Sequence, residues 1–488
     1  MKNTTLTEIE KNHLEVSLFY DQVAEKRNFW FKKNKYFHDS IIDYYNYFTH
    51  PDDSILEIGC STGNLIGNLK TKNATGIDIS KKSIEIAKSN FPKVNFLHTS
   101  IENFKINRKF DIIILSGTLN SVYDINKVLQ KIKKISHSHT RCFIEFYNPL
   151  YRFFIILGSR LNFKMNERIY NWFNWQDLKN FSEKNDCEIV NTESIIYIPK
   201  KIFILSNFFN KFLSFISIFN FLSFYRVICL KPIKNELTQK KDLKCSIVLT
   251  CRDEEGNIEE ILRRIPKLGK HTEIIFVEGH SKDNTYAEIE RMIGIHKDRD
   301  IKLFKQPGYG QKDALHYGFK KAKGDFIMLM ESDLTTPPED SELIWNAFIS
   351  DKGDFINGSR LIYNMESKAM PFLNYIGNRS FGLAFSFISK KRLTDALCGF
   401  KGISKLYYKK LEDDFNFFGK YDPFSAFELI FASLKNKLRV IEVPVHYSKR
   451  TYGSPNAYGK GFFSFLKYGF KLIFSLILSY YFYSNRKK

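Results

Sequence analysis

The chain has 488 residues, enough for two or three domains, and at 43% hydrophobic residues it can fill real cores. Its formal charge of +21 favours anionic partners. No zinc-finger spacing, RNA-binding aromatic signature or basic heptad region accompanies that charge, so nucleic acid is set aside in favour of anionic small molecules or an anionic membrane surface.

Seven cysteines without a CxxC pair fit reduced thiols better than a disulfide framework. The N-terminus, MKNTTLTEIEKNHLEV, is polar and lacks the apolar core of a signal peptide, which predicts a cytoplasmic placement. From residue 50 to 150, short apolar runs alternate with helical patterns. Strands are predicted at Ser54–Ile58, Ala74–Ile79, Val94–His98, Phe110–Leu115 and Cys142–Phe146, a βαβ rhythm that implies a parallel sheet covered on both faces. The first strand runs into ILEIGCSTGN, where small residues let the backbone pass close to a ligand and a helix is predicted from about Asn64. Asp78 follows at the end of the next strand, where an acid can bind ribose hydroxyls. The spacing is not that of a dinucleotide site, because Ser61 and Asn64 stand where glycines are expected.

The pattern Glu57-x-Gly59-x-Ser61-x-Gly63 resembles the first motif of class I S-adenosylmethionine-dependent methyltransferases, and SGTLNSVYD after Phe110–Leu115 resembles their fourth. The resemblance covers roughly the first 230 residues. It implies that Gly59, Ser61 and Gly63, preceded by Glu57, wrap the methionine part of S-adenosylmethionine, that Asp78 binds the ribose, and that Ser100 and Ile101 flank the adenine. Ser100 departs from the acid found there in many members. Methyl transfer needs positioning and sometimes a base; His98, Asn120 and Glu145 are candidates by position, each weighed against a structural role.

Lys201–Leu230 is rich in Phe, Ile and Leu, with Asn207, Asn210, Ser214, Ser217 and Asn220 at helical spacing. This predicts one or two helices that either cap the first domain or lie in a membrane interface. A charged linker, 232–243, follows, and the βαβ rhythm restarts with strands at Cys245–Thr250, Glu273–Val277, Ile301–Lys305 and Phe326–Met330.

The last of these ends in GDFIMLMESDLTTPPE. Glu331 and Asp333 share one face of an extended strand end and form a candidate site for a hard divalent cation. Around it stand RDEEGNI, VEGHSKDNT, GYGQKDAL, GSR, DALCGFKGIS, VIEVPVHY and KRTYGSP. In this order they resemble family 2 glycosyltransferases with a GT-A fold, closest to the polyprenyl-phosphate sugar transferase branch. The resemblance implies that Glu254 and Glu278 contact the nucleoside and Lys312 faces the diphosphate. Asp333, with Glu331 in place of the usual first Asp, would hold Mg²⁺ or Mn²⁺. Arg360 and Arg450 would bind phosphate, and Asp395 would sit near the acceptor. A polyprenyl-phosphate oxygen is already anionic and needs no base; a sugar hydroxyl does, and Asp395 is then the candidate.

Gly461–Ser484 is apolar and aromatic but interrupted by Lys467 and Lys471 and followed by NRKK, which predicts an in-plane anchor, with a tilted span as the alternative. The expected architecture is therefore α/β, two Rossmann-like domains in tandem. Residues 1–231 form a methyltransferase domain, 244–460 a GT-A domain and 461–488 a membrane-associating tail, with amphipathic interface helices. The expected function is sugar transfer from a nucleotide-diphosphate sugar to a lipid-phosphate or glycan acceptor, coupled with methylation, at the cytoplasmic face of a membrane in cell-surface glycan synthesis. Two alternatives stand beside it: a glycosyltransferase whose first half only docks, and a non-catalytic membrane scaffold.

Overall fold

The computed structural model describes residues 8–169, 171–215, 217–233, 242–363, 365–366, 369–415, 425–453 and 462–485. The chain divides into two compact units, one up to Asn235 and one from Glu236 to Asn485. Each is built on a seven-stranded mixed sheet. Residues 234–241, the centre of the expected linker, lie outside the described residues, as do 454–461 and 486–488.

The first unit opens with two helices, α1 (Glu8–Lys33) and α2 (Lys35–Asn46). Its strands are β1 (Ser54–Ile58), β2 (Asn73–Asp78), β3 (Asn95–His98), β4 (Phe110–Leu115), β5 (Ser136–Tyr147), β6 (Cys187–Ile196) and β7 (Tyr225–Pro232). They lie in the order β3-β2-β1-β4-β5-β7-β6. The first five pair in parallel; β7 pairs antiparallel with both β5 and β6. Helices α3 (Lys81–Asn90), α4 (Ile125–Lys134), α5 (Arg152–Arg160), α6 (Trp175–Lys184) and α7 (Phe203–Phe215) complete it. Two apolar clusters separate on the sheet: Leu56, Ile113 and Ile144 belong to one, Ile55, Ile112 and Phe143 to the other. That alternation is why β1 and β4 read as unbroken apolar runs.

Two sequence expectations are corrected here. No helix begins at Asn64. Gly63 sits at φ +80°, and only a short 3₁₀ turn, Ile66–Asn68, fits before β2 starts at Asn73. Nor is Lys201–Leu230 wholly helical. After α7 and a 3₁₀ stretch at Ser217–Leu222 the chain enters β7, whose Val227, Ile228, Cys229 and Leu230 are buried between two neighbouring strands. Short-range periodicity cannot reveal that two antiparallel partners lie at a distance along the chain.

The second unit has β8 (Lys244–Cys251), β9 (His271–Glu278), β10 (Asp300–Lys305), β11 (Phe326–Glu331), β12 (Phe355–Ser359), β13 (Lys401–Ser404) and β14 (Val440–Pro444). Their order is β10-β9-β8-β11-β13-β12-β14. The first four run parallel, β13 is antiparallel to β11 and β12, and β14 is parallel to β12. The helices are α8 (Ile258–Arg264), α9 (Thr285–Ile295), α10 (Gln311–Lys321), α11 (Ser341–Ile349), α12 (Phe372–Ser389), α13 (Lys405–Leu411), α14 (Ser425–Lys435) and α15 (Phe462–Asn485).

In α15, Leu472, Leu476 and Phe482 pack on the unit's core and Ser475 and Ser479 are buried, while Phe470, Ile473 and Ile477 face outward. Among the described residues no helix is long and apolar enough to cross a membrane. None of the seven cysteines forms a disulfide, and all are buried.

Candidate active sites

In an open α/β sheet the strand order reverses at one point, and ligands bind beyond the carboxyl ends of the strands there. In the first sheet that point lies between β1 and β4. A cleft is lined there by Gly59 and Ser61 after β1, Asp78 at the end of β2, Ser100 and Ile101 after β3, and Ser116 after β4. The backbone is left-handed at Gly59, Ser61 and Gly63, with φ of +75°, +50° and +80°. A Cβ on Gly59 would stand 2.2 Å from Thr118 Oγ1, which donates to the Ile58 carbonyl at 2.6 Å. Asp78 Oδ2 accepts from Ser61 N and Oδ1 from Ser80 N, both at 2.8 Å, so one carboxylate holds the loops after β1 and β2 together. Burial raises the pKa of Asp78, against those two hydrogen bonds.

Glu57 is not among the residues that line this cleft: Oε2 accepts from Ile66 N at 3.0 Å and burial drives its pKa well up. Glu145 is wholly buried and accepts from Tyr45, Tyr225 and Ser116 hydroxyls at 2.6, 2.9 and 2.9 Å, a structural knot. His98 stands 3.0 Å from the Ile79 carbonyl through Nε2. Asn120 is buried, and its backbone carbonyl accepts from Asn171 N at 3.0 Å.

Sequence reasoning missed α1, whose Asn12, His13, Tyr20 and Arg27 close the cleft from above. The helix is pinned by Asp21, which accepts from Ser80 Oγ at 2.6 Å and Lys82 N at 3.0 Å. Its signal was weak, because polar residues on a long helix read as a solvated face.

In the second sheet the reversal lies between β8 and β11. Glu254 follows β8, Glu278 ends β9 and Glu331 ends β11, while Asp333 lies in the turn just after it rather than on the strand expected from the sequence. Arg450 draws two of these together: Nη1 donates to Glu254 Oε1 at 3.1 Å and Nη2 to Asp333 Oδ2 at 2.5 Å. The other Asp333 oxygen accepts from Thr335 N and Oγ1 at 3.0 and 2.7 Å. Glu278 accepts from Ser281 N. Tyr452 lies over Gly256, where a Cβ would meet Tyr452 Cδ2 at 2.4 Å, so the glycine of RDEEGNI makes room for the KRTYG loop.

The Glu-for-Asp exchange at 331 has a counterpart in DALCGF. A Cβ on Gly399 would stand 2.2 Å from Glu331 Oε1, so the longer acid uses space that only glycine leaves. Lys312, expected at the diphosphate, is 2.7 Å from the buried Glu428. Asp395 and Arg360 form a bidentate pair, Nε–Oδ2 2.8 Å and Nη2–Oδ1 3.0 Å, and Arg360 N adds a third bond at 3.1 Å. Asp395 has no exposed surface. Its oxygens are thus committed to Arg360, an arrangement that positions a cation rather than one that takes a proton.

The donor set suits a divalent cation. Two carboxylates converge at a strand end, and the Arg450 guanidinium already supplies positive charge to Asp333. Among the described residues no third His, Cys, Asp or Glu joins them as a ligand group; further ligands would come from diphosphate and water. Burial first, and then the Asp333 charge, push Glu331 up to about 7; burial also raises Glu254 to about 7. A cation binds the ionised form, so Mn²⁺ affinity is expected to climb as pH rises through about 7 and to level off above about 8, by up to about tenfold overall. Calorimetric titration across that range checks this, and Glu331→Gln should flatten the dependence.

The family model described as Glycosyl transferase family 2 matches residues 246–412, and one described as Methyltransferase domain matches 49–194. A dolichol-phosphate mannosyltransferase of Pyrococcus furiosus is 26% identical over 47% of this chain and 64% of its own length. An undecaprenyl-phosphate 4-deoxy-4-formamido-L-arabinose transferase of Shewanella sediminis is 31% identical over 20% of this chain and 30% of its own. The chain thus spans less than two thirds of either relative. Among solved structures, a SAM-dependent methyltransferase from Thermotoga maritima superposes with a TM-score of 0.34 at 16% identity, covering 45% of this chain and all of the other. Glucosyl-3-phosphoglycerate synthase from Mycobacterium tuberculosis, solved with Mn²⁺ and UDP, superposes with a TM-score of 0.35 at 14% identity, covering 50% of this chain and 82% of its own.

Proposed function

We propose, for a chain that joins a methyltransferase domain to a glycosyl transferase family 2 domain, a bifunctional transferase. One half moves a sugar from a nucleotide-diphosphate sugar to a lipid-phosphate acceptor, and the other methylates with S-adenosylmethionine. The observation that carries the sugar-transfer half is the convergence of Glu254, Asp333 and Arg450 at the reversal point of the second sheet.

In this reading Glu254 and Glu278 face the nucleoside, and Asp333 with Glu331 would hold Mg²⁺ or Mn²⁺. The cation, when bound, stabilises negative charge on the departing diphosphate. Arg450 moves from Asp333 onto that diphosphate. Arg360, fixed by Asp395, presents positive charge to an acceptor phosphate. The acceptor oxygen forms its bond to the anomeric carbon as the diphosphate leaves with the bonding electrons, inverting that centre. An ionised phosphate oxygen has no proton to lose, in keeping with the absence of a free carboxylate base at Asp395. The outward faces of α12 and α15, with Phe372, Leu373 and Leu383 on one and Phe470, Ile473 and Ile477 on the other, suit a lipid surface at which such an acceptor resides.

The methyltransferase half rests on the loop after β1 and on Asp78. A full-length chain should bind S-adenosylmethionine with measurable heat. Gly59→Ala should reduce that affinity by a hundredfold or more, because it adds a Cβ at positive φ against Thr118 and costs on the order of 2–3 kcal/mol locally. Absence of heat in the unsubstituted protein would leave a glycosyltransferase with a docking domain.

A further inference from the structure

Beside the cofactor cleft the first unit holds a second, larger space, a cavity of about 520 Å³. It is within the size range of small-molecule sites. Its walls are mostly apolar: Trp30 and Phe37 from α1 and α2, Ile155 from α5, Met165, Tyr197 and Phe224. Arg27, Gly59, Ser61 and Ser116 line both spaces, so the two meet at the loops after β1 and β4. There Arg27 Nη1 is buried and has no hydrogen-bond partner, while, against burial, the Arg27 charge lowers the pKa of Glu167 on the cavity wall and opposes the rise at Asp78 in the cleft.

The outer rim of this cavity is unusual. Phe154 and Phe163 line it, yet are 64% and 61% exposed. From them the apolar surface continues along α5 through Phe153 and Leu157. Across the opening, Pro199 and Lys200 on the rim lead into α7.

That helix is turned inside out. Asn210 Oδ1 accepts from Tyr197 N and Ile198 N at 2.9 and 2.8 Å, Asn207 accepts from the Tyr36 hydroxyl at 2.9 Å, and Ser206 is buried. Ser206 and Asn210 therefore face protein and Asn207, though exposed, bonds back to Tyr36, while Leu205, Phe208 and Phe212 are 53%, 56% and 45% exposed. A helix on a water-facing surface has the opposite arrangement. The two flanking segments, 148–165 and 197–224, carry Arg152, Arg160, Lys164, Lys200, Lys201 and Lys211 and no acidic residue.

We propose that this face of the first unit rests on an anionic lipid bilayer and that the methyl acceptor is a membrane amphiphile. Its apolar body enters the cavity between α5 and α7 while its polar end reaches Arg27 and the cofactor. The inference rests on the methyltransferase reading and adds the substrate class. Exposed aromatics of α5 and α7 enter the headgroup region and Arg152, Arg160, Lys200, Lys201 and Lys211 face anionic lipid, while Lys164 is paired with Glu167 at 2.8 Å. A lone pair on the amphiphile's polar end bonds to the cofactor's methyl carbon. The carbon–sulfur bond breaks with its electrons returning to sulfur, and any proton on the acceptor passes to solvent.

The seven native thiols are buried, so Phe208→Cys places one exposed thiol for an environment-sensitive dye on the full-length chain. With vesicles of phosphatidylcholine and phosphatidylglycerol the dye emission should shift to the blue and rise, with partition roughly tenfold stronger than onto phosphatidylcholine alone. Unchanged emission, or equal partition onto both, overturns the docking face. For the cavity, Gly158→Trp fills the space at a position where a Cβ meets nothing within 4 Å. Methyl label from S-adenosylmethionine should appear in the organic phase of vesicles made from total membrane lipid. In this variant it should fall at least about tenfold, with the heat of cofactor binding unchanged. Label confined to water-soluble products, or untouched by Gly158→Trp, overturns the acceptor class. Absence of cofactor heat in the unsubstituted chain would instead refute the methyltransferase reading and the acceptor with it, while the dye result still decides the lipid surface.

Discussion

Asp333→Ala is expected to lower sugar transfer by about a hundredfold to a thousandfold, the scale on which removal of one electrostatic group at a leaving group acts. Asp333 is the acid best prepared for a cation. Thr335 fixes Oδ1 through two hydrogen bonds, so Oδ2 is aimed at the space Arg450 now shares. Glu331 is less prepared, because burial favours its neutral form and a cation must first compete with a proton. Asp333→Asn separates charge from shape: it can still accept from Thr335, so a comparable loss would assign the effect to the missing negative charge. Release of nucleoside diphosphate during Mn²⁺ titration is the measurement. Binding of S-adenosylmethionine should be unmoved in both variants, since that cleft belongs to the other unit. Retention of sugar transfer in Asp333→Ala would remove the metal-assisted reading.

The parts of these sites that were legible in the sequence are those carried by contiguous residues. Gly59, Ser61 and Gly63 declare a left-handed loop because few other residues tolerate it, and Glu331 with Asp333 stand at fixed spacing on a strand end. What was hidden depends on distance along the chain. Arg450 meets Glu254 across 196 positions, and nothing local to KRTYG says which acid it will face. Gly399 makes room for Glu331, so the departure from the usual acid becomes intelligible only when β11 and the DALCGF turn are seen side by side. The antiparallel strands of both sheets escaped for the same reason. The parallel strands are buried on both faces and read as apolar runs, whereas Lys401 in β13 places a buried cation in a strand of four residues. In α7 the polar stripe was visible, but only the structure gives the direction it faces, and that direction reverses the ordinary meaning of amphipathicity.

Asp395 separates two roles that sequence alone leaves joined. Burial by itself would raise its pKa; the Arg360 charge and hydrogen bonds outweigh that and hold it below the usual carboxylate range. A depressed pKa means that the pair contributes its stability above the unfolded-state value of about 4 and loses it as pH falls toward the folded value. Removing one partner leaves the other charged and buried, a change that costs about 3–5 kcal/mol in comparable pairs. Asp395→Ala should therefore lower the melting temperature by roughly 10 °C, the shift expected for a unit of this size. A catalytic base would behave differently: the fold would survive its removal, and the acid limb of the pH–rate profile would disappear while substrate affinity held. The double variant Arg360→Met/Asp395→Leu sharpens the contrast. It replaces the pair by apolar groups and should recover most of the lost stability, as buried pairs replaced together often do. Sugar transfer should stay low in that stable protein, because the proposed contact of the Arg360 guanidinium with an acceptor phosphate is gone. Recovery of both stability and transfer would mean that Arg360 serves only the fold.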